Sequence, residues 1–296
     1  MRYIDKSVRQ HDFDNYSRAY LKEARQSDGT FVPPINNDSS YKDGFSNRKY
    51  RAPLTGGGWQ QILLEEQDGL CCYCMKRLKA DEMSVEHLVP ENFDNNQNPQ
   101  AEYAYYARFA PRIDSYVELA EDFSKRRFMS DADIDAVRRM PHLIAHSNLF
   151  AACQHKKNCK EVGCSCNSHR GNIPIMPLML MNNVGSLVKY EENGDVSLLL
   201  QDVRESERIL SALDINCDNL RLIRRLWYLA KHQQVPVLDI TSMNDGQRVE
   251  FILGLFGVEE IFDLDVDYQK YCRFGNEGED AYWKLFLQYD WFYHIY

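Results

Sequence analysis

The sequence lacks any apolar stretch long enough to cross a membrane. Its longest such run, residues 173–181, is interrupted by Pro174 and Pro177 and is far shorter than the roughly 20 residues that a spanning helix needs. The first residues, MRYIDKSVRQHDFD, also lack the apolar segment of a secretory signal. We therefore expect a cytoplasmic protein.

The sequence has fewer basic than acidic residues. It contains 35 Lys and Arg against 44 Asp and Glu, which gives a net charge of −9. This balance argues against a protein that binds nucleic acid over its whole surface. The charges are unevenly placed, however, and we predict a basic middle and an acidic end that meets a protein partner. The basic residues in question are Lys125, Arg126, Arg127, Arg138, Arg139, Lys156, Lys157, Lys160 and Arg170, and the acidic ones are Glu259, Glu260, Asp263, Asp265 and Asp267.

No internal repeat is visible, and the patterning predicts an α+β fold that is mainly helical. Residues 1–55 are polar and rich in turn residues, which is typical of an N-terminal arm with little regular structure. Residues 56–182 form the predicted core, with a helical insertion of two or three helices at about 97–140. Residues 183–296 are predicted to form a hairpin followed by a helical C-terminal region.

Local patterns place several elements within these regions. Trp59, Ile62 and Leu63 share one face of a helix that Gly69 ends. A hairpin over 185–200 turns at residues 192–194, Glu-Asn-Gly. Two amphipathic helices follow: the first has Val203, Leu210 and Leu213 on its apolar face, and the second has Leu220, Ile223, Trp227 and Ala230, with Asp218 or Asn219 as its cap. Beyond Pro236 we predict mostly helix, ending in an aromatic segment at 291–296 that packs against another surface.

Seven of the nine cysteines fall into two groups, Cys71, Cys72 and Cys74, then Cys153, Cys159, Cys164 and Cys166. In a reducing compartment such clusters favour metal binding over disulfides. The C-x-x-C spacing of the first group lets two thiolates bind one tetrahedral zinc ion, and a closed structural site takes four ligands. The preferred set is Cys71, Cys74, Cys153 and Cys166. Cys159 and Cys164 remain open as substitutes or as ligands of a second ion.

An acid-histidine pair, Glu86-His87, lies between the two cysteine groups and is followed by Pro90. Such a pair is weak evidence alone, because adjacent residues on a strand point to opposite faces. Two asparagines strengthen it, since Asn148 lies five residues ahead of Cys153 and Asn167 directly follows Cys166.

This order of residues resembles the HNH nuclease family, whose zinc-stapled branch places a C-x-x-C before the acid-histidine strand and a second cysteine pair after it. The resemblance implies a ββα-metal core and metal-dependent hydrolysis of phosphodiester bonds, with DNA favoured and transfer RNA or other RNA open. In that case His87 is the general base, Glu86 and Asn167 hold Mg²⁺ or Mn²⁺, and Asn148 holds the loop that carries His87. Arg170 is a candidate contact to the substrate phosphate.

A closer resemblance covers most of the chain. The opening MRYIDK, the run NSHRGN at 167–172 with Pro174 and Pro177, and Gly194-Asp195 resemble the PtuB-type HNH effectors of Septu anti-phage systems, including those joined to retrons. This implies a toxic effector controlled by a PtuA-like ATPase and, in retron systems, accompanied by a reverse transcriptase and its single-stranded DNA. The chain departs from the family pattern in having Glu86 where aspartate is frequent, and in the long gap from His87 to Asn148, which implies the helical insertion.

Two alternatives remain open. His155 and His169 are rival candidates for the final metal ligand. The chain could also be a zinc-stapled binding module that recruits a partner effector and does not cut, which would explain the acidic charge and the aromatic end.

Overall fold

The computed structural model describes residues 1–31, 59–79, 83–91, 93, 97–153, 166–244, 247, 250–251, 254–255 and 286–296. Helices predominate and the strands are short, so the predicted α+β class is confirmed. None of the helices in these ranges has the length and apolar content that a membrane crossing requires. The described residues fall into two compact units: unit 1 lies within 1–72, 78–154 and 171–185, and unit 2 within 73–77, 155–170 and 186–296.

Unit 1 combines six helices and four strands in its described part. Strand β1 (Met83–His87) pairs antiparallel with β4 (Leu149–Cys153), and the short strand β2 (Val117–Glu118) pairs parallel with β3 (Met140–Pro141). A 3-10 helix at His146–Asn148 leads directly into β4, and another lies at Leu178–Leu180. The elements are α1 (Gln10–Ala24), α2 (Trp59–Glu66), β1 (Met83–His87), α3 (Pro99–Phe109), α4 (Pro111–Tyr116), β2 (Val117–Glu118), α5 (Ala120–Ser124), α6 (Asp131–Asp135), β3 (Met140–Pro141) and β4 (Leu149–Cys153).

Helix α1 corrects the expectation that residues 1–55 hold little regular structure. Its buried face has helical spacing, with Phe13, Ser17, Tyr20 and Leu21 on it. The apolar pattern is hard to see because Ser17 lies in the middle of that face. The hydroxyl of Ser17 donates a hydrogen bond to the carbonyl of Ile144 at 2.8 Å, so a tertiary contact satisfies the polar group that interrupts the pattern.

The insertion holds four helices rather than the two or three expected. The extra break falls at Ala110, whose extended backbone ends α3 and is followed by Pro111, the first residue of α4. Asn98 caps α3 by accepting from the amides of Gln100 and Ala101. Proline at a first helical position starts a new helix as readily as it ends an old one, which explains the undercount.

Unit 2 contains the predicted hairpin. Strands β5 (Val188–Tyr190) and β6 (Val196–Leu198) pair antiparallel. Gly194 in the turn has φ of 87°, a conformation that glycine adopts without strain. The elements here and just before it are α7 (Asn167–Arg170), α8 (Val184–Leu187), β5 (Val188–Tyr190), β6 (Val196–Leu198), α9 (Val203–Leu213), α10 (Asp218–His232), α11 (Val237–Ser242) and a 3-10 helix at Asp290–His294.

Both predicted amphipathic helices are present, with small corrections. Val203 is 66 % exposed rather than core-facing, because it is the first residue of α9, directly after its cap Asp202. The four residues expected on the buried face of α10 are buried, but its cap is Cys217, one residue earlier than expected. Residues 245–285, for which more helix was predicted, lie largely outside the described residues.

The aromatic segment at 291–296 packs within unit 2, as expected. Phe292 is 1 % exposed and contacts the ring of Tyr190, with centroids 5.3 Å apart. Just before this segment, Phe286 stacks on Trp227 of α10 with centroids 4.2 Å apart. Aromatic pairs of this kind bury large areas, so these contacts fasten the end of the chain to α10 and the hairpin.

Candidate functional site

The β1–β4 pair places the acid-histidine pair beside the segment that carries Asn148. Within this ladder Glu86 is opposite Phe150, and His87 is opposite Leu149. Every residue of β4 is buried, which explains its uninterrupted apolar sequence. The long gap between His87 and Asn148 in the sequence is therefore closed in space by strand pairing.

The ring of His87 is oriented by a backbone carbonyl. Its Nε2 lies 3.0 Å from the oxygen of Leu143. A carbonyl oxygen can only accept, so Nε2 carries the proton in this contact. In the neutral ring the lone pair is then on Nδ1. This tautomer lets Nδ1 accept a proton.

Asn148 is completely buried and holds the loop that follows β1. Its Oδ1 accepts from the amide of Val89 at 2.8 Å, and its Nδ2 donates to the carbonyls of Val89 at 3.0 Å and His142 at 2.7 Å. Its backbone carbonyl also accepts from the amide of Leu88 at 3.1 Å. Three of these four bonds fix the backbone of Leu88 and Val89, the two residues directly after His87, and the fourth reaches His142.

His142 connects the same loop to the helical insertion. Its Nδ1 accepts from the amide of Ala120, at the start of α5, at 2.9 Å. Burial, aided by the nearby charge of His87, lowers the pKa of His142 to about 3. The ring is therefore neutral at physiological pH, and its Nδ1 can accept the hydrogen bond from Ala120. The position of His142 beside Asn148 in the sequence favours a structural role over a catalytic one, and these contacts to Ala120 and Asn148 are structural.

The structure gives less support to the roles predicted for the remaining site residues. Glu86 is 1 % exposed, whereas His87 on the same strand is half-buried. Asn167 begins α7, but its side chain lies outside the described residues, so the Glu86–Asn167 ligand pair stays a prediction. Arg170 is 1 % exposed, and this burial does not favour its predicted contact with a phosphate. His169 points its Nδ1 at the carbonyl of Ala212, 3.0 Å away.

Four cysteines form the one group of three or more metal-binding side chains that the described ranges contain. They are the predicted set, Cys71, Cys74, Cys153 and Cys166, all buried, with their sulfur atoms within 4.8 Å of one another. Tetrahedral zinc with Zn–S bonds of about 2.3 Å separates its sulfur ligands by about 3.8 Å, so four thiolates at this spacing fit the ion. Cys159, Cys164 and His155 lie outside the described residues.

The predicted basic middle is partly neutralised. Lys125 pairs with Asp122 at 2.8 Å and Arg126 with Glu118 at 2.9 Å, whereas Arg138 and Arg139 are exposed. The lysines at 156, 157 and 160 and the acidic residues at 259–267 fall outside the described ranges.

No family model, no curated protein and no solved structure matches this chain.

Proposed function

We propose that this protein is a metal-dependent HNH endonuclease that hydrolyses phosphodiester bonds in nucleic acid. The observation that supports this most is the backbone clamp around His87: the Leu143 carbonyl orients its ring, and Asn148 holds the loop that follows it. A catalytic base needs both a defined tautomer and a fixed position, and these two contacts supply them.

In this proposal His87 takes a proton from the attacking water at Nδ1. Histidine is the side chain whose ordinary pKa is closest to physiological pH, which suits it to take up a proton in this role. The hydrogen bond from Nε2 to the Leu143 oxygen holds the ring while the proton moves, and it strengthens as the ring gains charge. Asn148 contributes position alone, because its side chain bonds to backbone atoms of Val89 and His142.

The metal ions complete the proposal. Mg²⁺ or Mn²⁺, held by Glu86 and Asn167, would stabilise the charge that develops on the scissile phosphate and the leaving oxygen. Zn²⁺, held by Cys71, Cys74, Cys153 and Cys166, would be structural, since four buried thiolates leave no open position for substrate.

The substrate and biological setting follow from the resemblance. DNA is the favoured substrate because it is the usual substrate of the HNH family that this chain resembles. Transfer RNA or other RNA is the second candidate. We propose further that the chain is the toxic effector of an anti-phage complex with a PtuA-like ATPase, joined in retron systems by a reverse transcriptase and its single-stranded DNA. Failure to co-purify with an ATPase encoded next to it would count against this setting.

The test is a cleavage assay of the full chain on plasmid DNA, single-stranded DNA and transfer RNA, with and without added Mg²⁺. The assay is run for the chain alone and with the PtuA-like ATPase of the proposed complex. His87→Ala should abolish cleavage of whichever substrate is cut. His11→Ala is the matched control, because the His11 side chain is 85 % exposed on α1, and it should cut normally.

Omission of Mg²⁺ is preferred to chelation, since a chelator would also compete for zinc. Cleavage by a folded His87→Ala variant at the normal rate would refute the nuclease proposal. If that variant instead retains the full biological effect without cutting, the non-cutting binding module is the better description.

A further inference from the structure

A fully buried lysine lies against the segment that carries Asn148. The ammonium group of Lys6 donates to a carboxylate oxygen of Glu66 and to the carbonyl of Leu149, and lies 4.1 Å from the ring centroid of Phe150. Both charged side chains are at most 1 % exposed. Burial acts to lower the pKa of Lys6, but the adjacent carboxylate opposes this shift. We call Lys6, Glu66 and His146 the Lys6 cluster.

Glu66 extends the cluster to His146. Its second oxygen lies 2.7 Å from Nε2 of His146, which is itself 1 % exposed and stacked on Phe13. Burial, with a contribution from the charge of Lys6, lowers the pKa of His146 to about 4, so the ring is neutral and donates its single N–H to the carboxylate. Burial opposes ionisation of Glu66, yet the charge of Lys6 brings the pKa of Glu66 below its usual value. One cation and one anion therefore balance each other in the core.

The cluster holds both ends of a four-residue segment. Glu66 binds the side chain of His146 at its start, and Lys6 binds the carbonyl of Leu149 at its end. Asn148 lies between these two points and reaches across to Val89. Leu149 is also the residue opposite His87 in the β1–β4 ladder. The carbonyl that Lys6 binds thus belongs to the strand residue paired with the proposed base.

We infer that the Lys6 cluster is a positioning device for the proposed catalytic loop. Lys6 and Glu66 hold residues 146–149, Asn148 transmits this position to the backbone of Val89, and His87 immediately precedes that loop. The roles of Lys6, Glu66 and His146 are indirect, so all three are positioning residues. The inference rests on the proposed function only for its consequence in catalysis; the hold on the loop is a property of the fold.

A buried ion pair contributes little net stability compared with apolar residues of the same shape, but it does define a single arrangement of its hydrogen-bonding partners. Here the partners include a backbone carbonyl, which an apolar side chain at position 6 could not bind. Loss of Lys6 should therefore loosen a specific loop in addition to any general loss of stability.

The experiment is hydrogen exchange at the amide of Val89, which Asn148 protects at 2.8 Å. The variants are Lys6→Met and the double variant K6M/E66Q, in which the unpaired buried carboxylate is also removed and the amide oxygen at position 66 can still accept from His146. Amides of α3 report the general stability of unit 1. We expect Val89 to exchange at least about tenfold faster than in the wild type in both variants, after correction by the α3 amides.

Lys22→Met is the matched control, because Lys22 on α1 forms an ion pair with Asp135 at 2.7 Å, at the surface. It should leave the exchange of Val89 unchanged. If Val89 and the α3 amides accelerate equally, or if the double variant restores slow exchange at Val89, the positioning inference is overturned.

Cleavage kinetics give a second readout. The double variant should lower kcat about tenfold with KM unchanged, since misplacement of the base affects the chemical step and leaves binding intact. If neither the wild type nor any variant cleaves, the nuclease proposal fails, while the exchange measurement still decides whether the Lys6 cluster positions the loop.

Discussion

Asn148 and Val89 are joined by a reciprocal pair of hydrogen bonds. The side-chain oxygen of Asn148 accepts from the amide of Val89 at 2.8 Å, and the side-chain nitrogen donates to the carbonyl of the same residue at 3.0 Å. The amide group of Asn148 thus substitutes for a strand residue and satisfies both backbone groups of Val89. No other uncharged side chain of similar length offers a donor and an acceptor in this geometry.

Asn148→Asp should reduce cleavage at least about a hundredfold, because a carboxylate cannot donate to the carbonyls of Val89 and His142. The measurement is kcat on the substrate identified by the cleavage assay. The matched control is Asn216→Asp: Asn216 makes the same reciprocal pair with Val196, at 2.8 and 2.9 Å, in unit 2. Its loss should lower stability and leave kcat nearly unchanged. Equal loss of kcat in the two variants would mean that Asn148 acts through general stability.

The cysteine cluster predicts a definite zinc content. The purified chain should contain zinc, and Cys74→Ser should lose the ion bound by the four clustered thiols, because a closed site needs all four ligands. Cys72→Ser is the matched control, since Cys72 is equally buried and lies outside the cluster. Zinc is measured by elemental analysis and by release to a chromogenic chelator. Full zinc retention in Cys74→Ser, with a loss in Cys72→Ser, would overturn this assignment.

Stability should fall on acidification because His146 is buried as the neutral ring. Its pKa is about 4 in the folded protein against 6.5 for the free side chain, so the unfolded state binds a proton first as the pH falls. The stability conferred by this group is present above pH 6.5 and is lost towards pH 4. Between pH 7 and pH 5 the loss should be about 2 kcal/mol.

This loss is measured by urea unfolding of the wild type and of His146→Gln at several pH values. The glutamine can still donate to Glu66 but does not titrate, so the difference between the two pH slopes isolates His146. Protonation of His142 and of the cysteines affects both proteins alike. Parallel slopes would show that the ring of His146 is not held neutral.

The hairpin turn in unit 2 should reject any side chain at position 194. Gly194 has φ of 87°, and a Cβ atom there would lie 1.9 Å from the carbonyl oxygen of Arg221. Gly194→Ala should therefore destabilise the protein by about 2–4 kcal/mol. The control is Gly185→Ala, where an added Cβ meets nothing within 4 Å and the backbone is helical. In thermal unfolding, the midpoint of Gly194→Ala should lie clearly below that of Gly185→Ala. Equal midpoints would contradict the backbone argument.

Much of the architecture could be predicted from local patterns. Spacing alone revealed α2, α10 and the hairpin at Gly194, because apolar periodicity and turn residues are local properties of the chain. The same reasoning missed α1, since Ser17 interrupts its buried face and is satisfied only by Ile144, far along the chain. It also counted too few helices in the insertion, where Pro111 both ends one helix and begins the next.

The sequence by itself determined which residues could carry chemistry. Cysteine spacing selected the four thiols that the structure brings together, because few other residue types bind zinc and the C-x-x-C spacing suits a tetrahedral ion. Tertiary structure alone decided how His87 is held. Lys6, Glu66 and His146 lie in three distant parts of the chain, and no spacing rule connects them. A buried charge needs a partner because folding removes it from water, and these residues meet only in the folded chain. Their pairing therefore leaves no pattern in the local sequence.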